Sequence, residues 1–289
     1  NINVTIERTD NAAVLNATVT GNTLNGSSNL VVNSDNSANI ENNISGNTIG
    51  GTLTESGSAN DMDNNDITGK LTSNGTNAIV NNSTLRDQFE SNGSALTFSN
   101  NSTVEGIAVF GGTNPTITTN TFDLGVTLSG LDSNNDDNIK GNTFISTLDI
   151  NQSGHKFNKD SNDNKNVFGG AVSISADGDN TVITSGDFNA TATLTTNPGA
   201  SGVNVSQSTF EEAVTINGAS STLDNNTYKS TVTMTGDTPS FINNTTAVNE
   251  NINVTIERTD NAAVLNATVT GNTLNGSSNL VVNSDNSAN

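Results

Sequence analysis

The chain has 289 residues, with 29 acidic against 9 basic side chains and a formal charge of −20. That balance argues against nucleic-acid binding, which needs clustered Lys and Arg, and against adhesion to anionic lipid. There is no Cys, so disulfides and thiolate metal sites are excluded, and no apolar run reaches the roughly 18 residues of a membrane span.

Residues 1–39 return without one change as residues 251–289. A globular core has no place for a second copy of its first strands, whereas an array does, so internal periodicity is the first signal to follow. Inside the repeat a short motif recurs: VTGNTL (19–24), ISGNTI (44–49), ITTNTF (117–122), IKGNTF (139–144), VSQSTF (205–210) and LDNNTY (223–228). Its last residue serves as an anchor: Leu24, Ile49, Ile67, Leu85, Val104, Phe122, Phe144, Phe168, Phe188, Phe210, Tyr228 and Ala247. These are 12 anchors in 250 residues, a mean spacing of about 21, within the range of solenoid repeats.

Four residues after many anchors comes an apolar–polar–apolar triplet, as in VTL (126–128), LDI (148–150), VSI (172–174), ATL (192–194), VTI (214–216) and VTM (232–234). Alternation at period two marks a strand with one buried face. Gly or Asn often follows, the residue types that tolerate a tight corner. Strands this short bury too little surface alone, so each must rest on its equivalent in the previous coil. The expected fold is all-β: a parallel β-helix, or β-solenoid, of about 12 coils per 250-residue repeat, rising about 4.8 Å per coil. A β-sandwich array fits the strand spacing too, but not the fixed offset between anchor and triplet, nor the absence of Trp.

Coiling predicts ladders of equivalent side chains. Phe122, Phe144, Phe168, Phe188, Phe210 and Tyr228 form the expected aromatic stack, and its apolar burial stabilises the interior. Asn22, Asn47, Asn65, Asn120, Asn142 and Asn226 stand two residues before their anchors and so on the same inward side. Buried amides need partners, and stacking would let them satisfy one another; ordinary turn-forming Asn residues are the competing reading.

The GNTF, GNTI and GNTL steps, the VTI-type triplets and the Asn, Thr and Gly excess resemble the parallel β-helix repeats of bacterial surface adhesins, autotransporter passengers and pectin-lyase-like proteins. The resemblance covers nearly the whole chain and implies a right-handed coil.

Two organisational expectations follow. Residues 1–250 form one full repeat, and residues 251–289 start the next one, stacked without a linker, because SFINNTTAVNE runs into NINVTIE with no Pro or Gly-Ser stretch between. The sequence stops at SDNSAN, where the first copy continues as IENNISGNTIG, so it reads as a window on a longer array.

Acidic turns supply the best local chemistry. Asp132, Asn134 and Asp136, then Asp160, Asn162 and Asp163, then Asp177 and Asp179, are oxygen-donor sets of the kind that bind Ca²⁺. They are expected to follow the same strand of successive coils and so to stack, although none has the Gly and Glu of an EF-hand loop; solvated polar turns are the alternative. His155, the single histidine, is expected in a solvent-facing loop. Asn-x-Ser/Thr sequons abound, among them Asn3, Asn74, Asn82 and Asn225, as chance provides in such a composition.

The sequence therefore predicts a non-enzymatic extracellular fibre or stalk, at the cell surface or in its matrix, serving adhesion or biofilm. Its partners would be further copies of its own repeat end to end, with lateral self-association or surface glycans. A carbohydrate-active β-helix, lyase or depolymerase, is the alternative, and would need convergent carboxylates in a groove.

Overall fold

The structure is a computed structural model and describes residues 2–7, 16–33, 42–100, 102–133, 138–175, 177–178, 180–196, 202–258 and 265–283. Every element among them is a strand or isolated bridge, and all strand pairs are parallel. The chain divides into two compact units, Asn1–Asn134 with Asn142–Ser146, and Asn135–Gly141 with Thr147–Asn289. Each is a β-solenoid in which successive turns contribute one short strand to each of three parallel sheets.

One turn of the second unit shows the pattern. Val214–Asn217 lies in the first sheet, Thr222–Asp224 in the second and Thr227–Tyr228 in the third. The next turn repeats it as Val232–Thr235, Ser240–Ile242 and Thr245–Thr246, with Val214 opposite Val232, Leu223 opposite Phe241 and Tyr228 opposite Thr246. The first unit does the same: Leu71–Ser73, Ile79–Asn81 and Thr84–Leu85 pair with Phe89–Ser91, Thr97–Ser99 and Thr103–Val104. Strand alternation explains the triplets. Their outer residues face inward and the middle one outward, so Val214, Ile216, Val232 and Met234 are buried. The second sheet sends its middle residue inward, and the third sends Thr out and the anchor in.

Corner geometry fixes the rest of the motif. Between the second and third sheets one residue takes the left-handed conformation in turn after turn: Asn64, Asn82 and Asn100 in the first unit, at φ 55°, 46° and 60°, and Asn225 and Asn243 in the second, both at 53°. Gly46 takes the same place at 64°. Asn and Gly are the residues least penalised there, which is why G-N-T and N-N-T alternate in the sequence. A second corner, between the first and second sheets, is tighter. A Cβ on Gly93, Gly112 or Gly130 would sit 1.8, 1.6 or 1.7 Å from the carbonyl oxygen of the glycine one turn away, so only glycine allows that approach.

Three expectations need correction here. Among the described residues, six complete three-strand turns lie in the first unit and five in the second, slightly fewer than the 12 coils expected. The last anchor is Thr246, buried in register with Tyr228, rather than Ala247; in TTAV the inward position falls to Thr, which masks the apolar signal. The acidic turns do not stack on one corner. Asp132 and Asp177 follow first-sheet strands, whereas Asp160 and Asp163 follow a second-sheet strand.

Candidate functional site

The candidate site is the surface by which one coil receives the next, and its distinctive element is the Asn ladder at the corner between the second and third sheets. After the left-handed residue the chain must turn inward, and strand pairing is interrupted there. The ladder residue fills the gap. In the first unit Asn47 accepts the backbone N–H of Asn22 on Oδ1 at 3.0 Å and donates Nδ2 to the carbonyl of Val19 at 2.8 Å. Asn65 accepts from Asn47 N at 3.1 Å and donates to the Ile44 carbonyl at 2.7 Å. Asn142 does the same for Asn120 N and the Ile117 carbonyl, at 3.0 and 2.8 Å.

The second unit repeats the stitch. Asn226 Oδ1 accepts from Ser208 N at 2.9 Å while its Nδ2 donates to the Val205 carbonyl at 2.9 Å. Asn244 accepts from Asn226 N and donates to the Leu223 carbonyl, both at 2.9 Å. The amides therefore satisfy mainly the backbone of the previous coil. Direct Nδ2 to Oδ1 bonds accompany this at Asn22 to Asn47, Asn47 to Asn65 and Asn120 to Asn142. Asn166 and Asn244 belong to the same file, Asn272 repeats Asn22 in the second copy, and Ser83, Ser102 and Ser208 hold the position with a hydroxyl oxygen in place of the amide. The six Asn residues singled out from sequence all fall at the ladder position.

The aromatic file is equally regular within each unit. Phe122 and Phe144 stack at 5.3 Å in the first; in the second, Phe168, Phe188, Phe210 and Tyr228 follow at 4.5, 4.4 and 5.1 Å. A further cluster, Phe89, Phe98 and Phe110, meets largely edge-on from the first and second sheets. Sequence periodicity misses it because its members occupy different positions of the coil.

At residues 251–273 the ladders continue from the coil before them. Asn253–Glu257 pairs with Val232–Thr235 on one side and Asn279–Asn283 on the other. Thr268–Thr270 pairs with Ser240–Ile242, Thr245 bridges to Thr273, and Asn244 N donates to Asn272 Oδ1 at 2.8 Å.

The acidic turns are arranged otherwise. Asp160 accepts from the backbone N–H groups of Asn162 and Asn164 and from Asn164 Nδ2, each at 2.8 Å. These bonds, that of the Asn164 side chain foremost, lower its pKa below the usual carboxylate value. Asp163 pairs with Lys159. The loop thus satisfies its own carboxylates. Asp132 is buried and Asp177 exposed, while Asn134, Asp136 and Asp179 lie outside the described residues. Among the described residues no three His, Asp or Glu side chains gather to hold a metal ion.

His155 is buried rather than solvent-facing, with no exposed surface. It precedes the strand Lys156–Asn158 at the inward corner position that Asn60, Leu96 and Val203 occupy in other turns, and its carbonyl accepts from Val182 N at 3.0 Å. The loop residues around it suggested exposure; the strand that follows pulls it in. Comparison of the chain with protein-family models, with curated proteins and with solved structures found no match.

Proposed function

We propose that this chain is a segment of a structural fibre, in which tandem repeats stack coil on coil and convert sequence length into reach. The single observation that carries the reading is that the coil 232–246 offers residues 253–273 the same three-sheet pairing and the same Asn stitch that it receives from the coil before it. A surface that serves equally as interior contact and as junction between repeats needs no linker. Interstrand hydrogen bonds, ladder amides and apolar files then act along one direction, which suits resistance to extension and proteolysis.

The role is mechanical rather than catalytic. The resemblance to surface adhesins and autotransporter passengers supports placing the fibre outside the cell, as a stalk for adhesion or as matrix material, with further copies of its own repeat as the primary partner. With about 11 coils per repeat and about 4.8 Å per coil, each copy adds roughly 50–55 Å. Electron microscopy of chains carrying two, three and four repeats tests this. Thin filaments that lengthen by that increment per repeat support the proposal, and compact beads on flexible tethers overturn it.

A further inference from the structure

Glu55 places a carboxylate where most turns of the coil hold an apolar or small side chain. It occupies the inward position of the first sheet that Val32 fills one turn before and Ser73 one turn after, and it has no exposed surface. Ser73 Oγ and Asn60 Nδ2 donate to it, and Asn60 Oδ1 in turn accepts from Asn42 Nδ2 at 2.6 Å. Its third donor is the backbone N–H of Gly75, 3.2 Å from Oε1. A Cβ on Gly75 would lie 2.6 Å from Oε2, so glycine lets the carboxylate come close to this amide.

The residue before Gly75 is Asn74, whose side chain is exposed. An Asn-Gly pair carries latent chemistry, because glycine, with no Cβ, leaves its nitrogen open to the side-chain amide carbon of the preceding residue. The amide proton is the obstacle to that attack, and here a buried carboxylate holds it.

The next turn supplies the comparison. Asn92–Gly93 takes the same corner between the first and second sheets, Asn92 N donating to the Ser73 carbonyl as Asn74 N donates to that of Glu55. The Asn92 side chain is exposed too. One turn back from this second pair stands Ser73, in register with Glu55, so a hydroxyl replaces the carboxylate.

We propose that Asn74–Gly75 is a self-modification site at which Glu55 acts as the general base for cyclisation to a succinimide. The nitrogen of Gly75 attacks Cγ of Asn74 while its proton passes to Glu55 Oε1. The tetrahedral adduct collapses with loss of Nδ2 as ammonia; water protonates the departing nitrogen, and the hydroxide so formed recovers the proton from Glu55. A second water opens the imide at either carbonyl, leaving aspartate or isoaspartate at position 74. The 3.2 Å separation lies within the reach required of a base, and burial, which raises the carboxyl pKa, makes the ionised group a better proton acceptor. The site stands apart from the stacking reading and requires only the coil geometry. Because loss of ammonia is irreversible, the converted fraction would record the age of the chain, and the new charge arises beside Asn92, whose Nδ2 donates to Asn74 Oδ1 at 3.0 Å.

Peptide mapping by mass spectrometry tests it. Full-length chains are incubated in neutral buffer, folded or in urea, and acid formation is followed at Asn74 and Asn92. In urea the two pairs, NGT and NGS, react alike. In the folded chain Asn74 should lead Asn92 several-fold; equal rates, or a lead for Asn92, overturn the proposal. Glu55→Gln keeps an acceptor for Gly75 and removes the base, so Asn74 should fall to the rate of Asn92 while Asn92 is unchanged. A lead that survives E55Q overturns the assignment as well. If E55Q does not fold, both sites react at their urea rates, and acidification of the parent takes its place. Val32, Ser73 and Asn60, which face Glu55, do not titrate in that range, so the lead should vanish as the carboxyl is protonated, and a lead that persists in acid excludes Glu55 as the base.

Discussion

Asn120 donates its side-chain Nδ2 to the carbonyl of Phe98 at 2.8 Å while its Oδ1 accepts the backbone N–H of Ser102 at 3.2 Å. One buried amide thereby completes two backbone groups of the preceding coil, at the corner where strand pairing lapses. Replacing Asn120 by Ala orphans both, and unsatisfied buried groups of this kind cost about 1–3 kcal/mol. Replacing it by Ser keeps an acceptor, as Ser83 and Ser102 do naturally, and should cost clearly less. Denaturant unfolding of N120A and N120S measures the difference; equal stability of the two variants would show that the stitch contributes nothing.

How far the sequence exposed this arrangement depends on whether a constraint falls on one residue type. The anchor must be apolar and large in most turns, so Phe122 to Tyr228 stand out at once. The ladder residue needs only an oxygen acceptor near the corner, so Asn22 and Asn226 are visible while Ser83, Ser102 and Ser208 pass as ordinary polar residues. Loops carry still weaker marks. The KDSNDNK segment resembles SGLDSNNDDN in composition, yet Asp160 follows a second-sheet strand and Asp132 a first-sheet strand, because polarity does not record which strand has just ended. His155 shows the converse: NQSGHKF reads as loop, but the strand at Lys156–Asn158 begins one residue later and buries the imidazole.

In the second unit Phe188 lies between Phe168 and Phe210, with ring centroids at 4.5 and 4.4 Å and interplanar angles of 25° and 11°. Phe188→Ala would leave a cavity against both neighbours, at about 3–5 kcal/mol. Tyr228 is followed in turn by Phe241 at 5.8 Å; its hydroxyl is buried beside Asn226, and burial raises its pKa well above the ordinary phenol value. Removing a poorly partnered buried hydroxyl is close to neutral or favourable. Thermal melts should therefore show a large loss for F188A and none for Y228F; a comparable loss in both would reveal that the hydroxyl is held.

Asn225 occupies the left-handed corner at φ 53° with its side chain exposed. A β-branched residue there meets the steric penalty of that region, about 1–2 kcal/mol, whereas glycine does not. Asn225→Val should lower the unfolding midpoint and Asn225→Gly should leave it nearly unchanged, matching the natural exchange of Asn and Gly at Asn64 and Gly46. Since neither variant alters a buried contact, equal midpoints for both would mean that the corner is not conformationally demanding.

Glu55 introduces a pH dependence of defined sign in the first unit. Its carboxyl is wholly buried, in register between Val32 and Ser73, and receives hydrogen bonds from Ser73 Oγ, Asn60 Nδ2 and the backbone N–H of Gly75. Burial raises its pKa above the ordinary value near 4.5, and the three hydrogen bonds only partly oppose that shift. Below the ordinary value the group is protonated in folded and unfolded chains alike. As pH rises past it, the unfolded chain releases the proton while the folded one keeps it, so stability declines until the raised value is passed. Glu55→Gln removes this component, and the exposed Glu212→Gln serves as a control for general repulsion in an acidic chain. Unfolding midpoints measured from about pH 4 to pH 8 should fall less steeply for E55Q than for the parent and E212Q, over the range in which linkage operates. Parallel profiles for all three proteins would mean that the buried carboxyl titrates as it does in the unfolded chain.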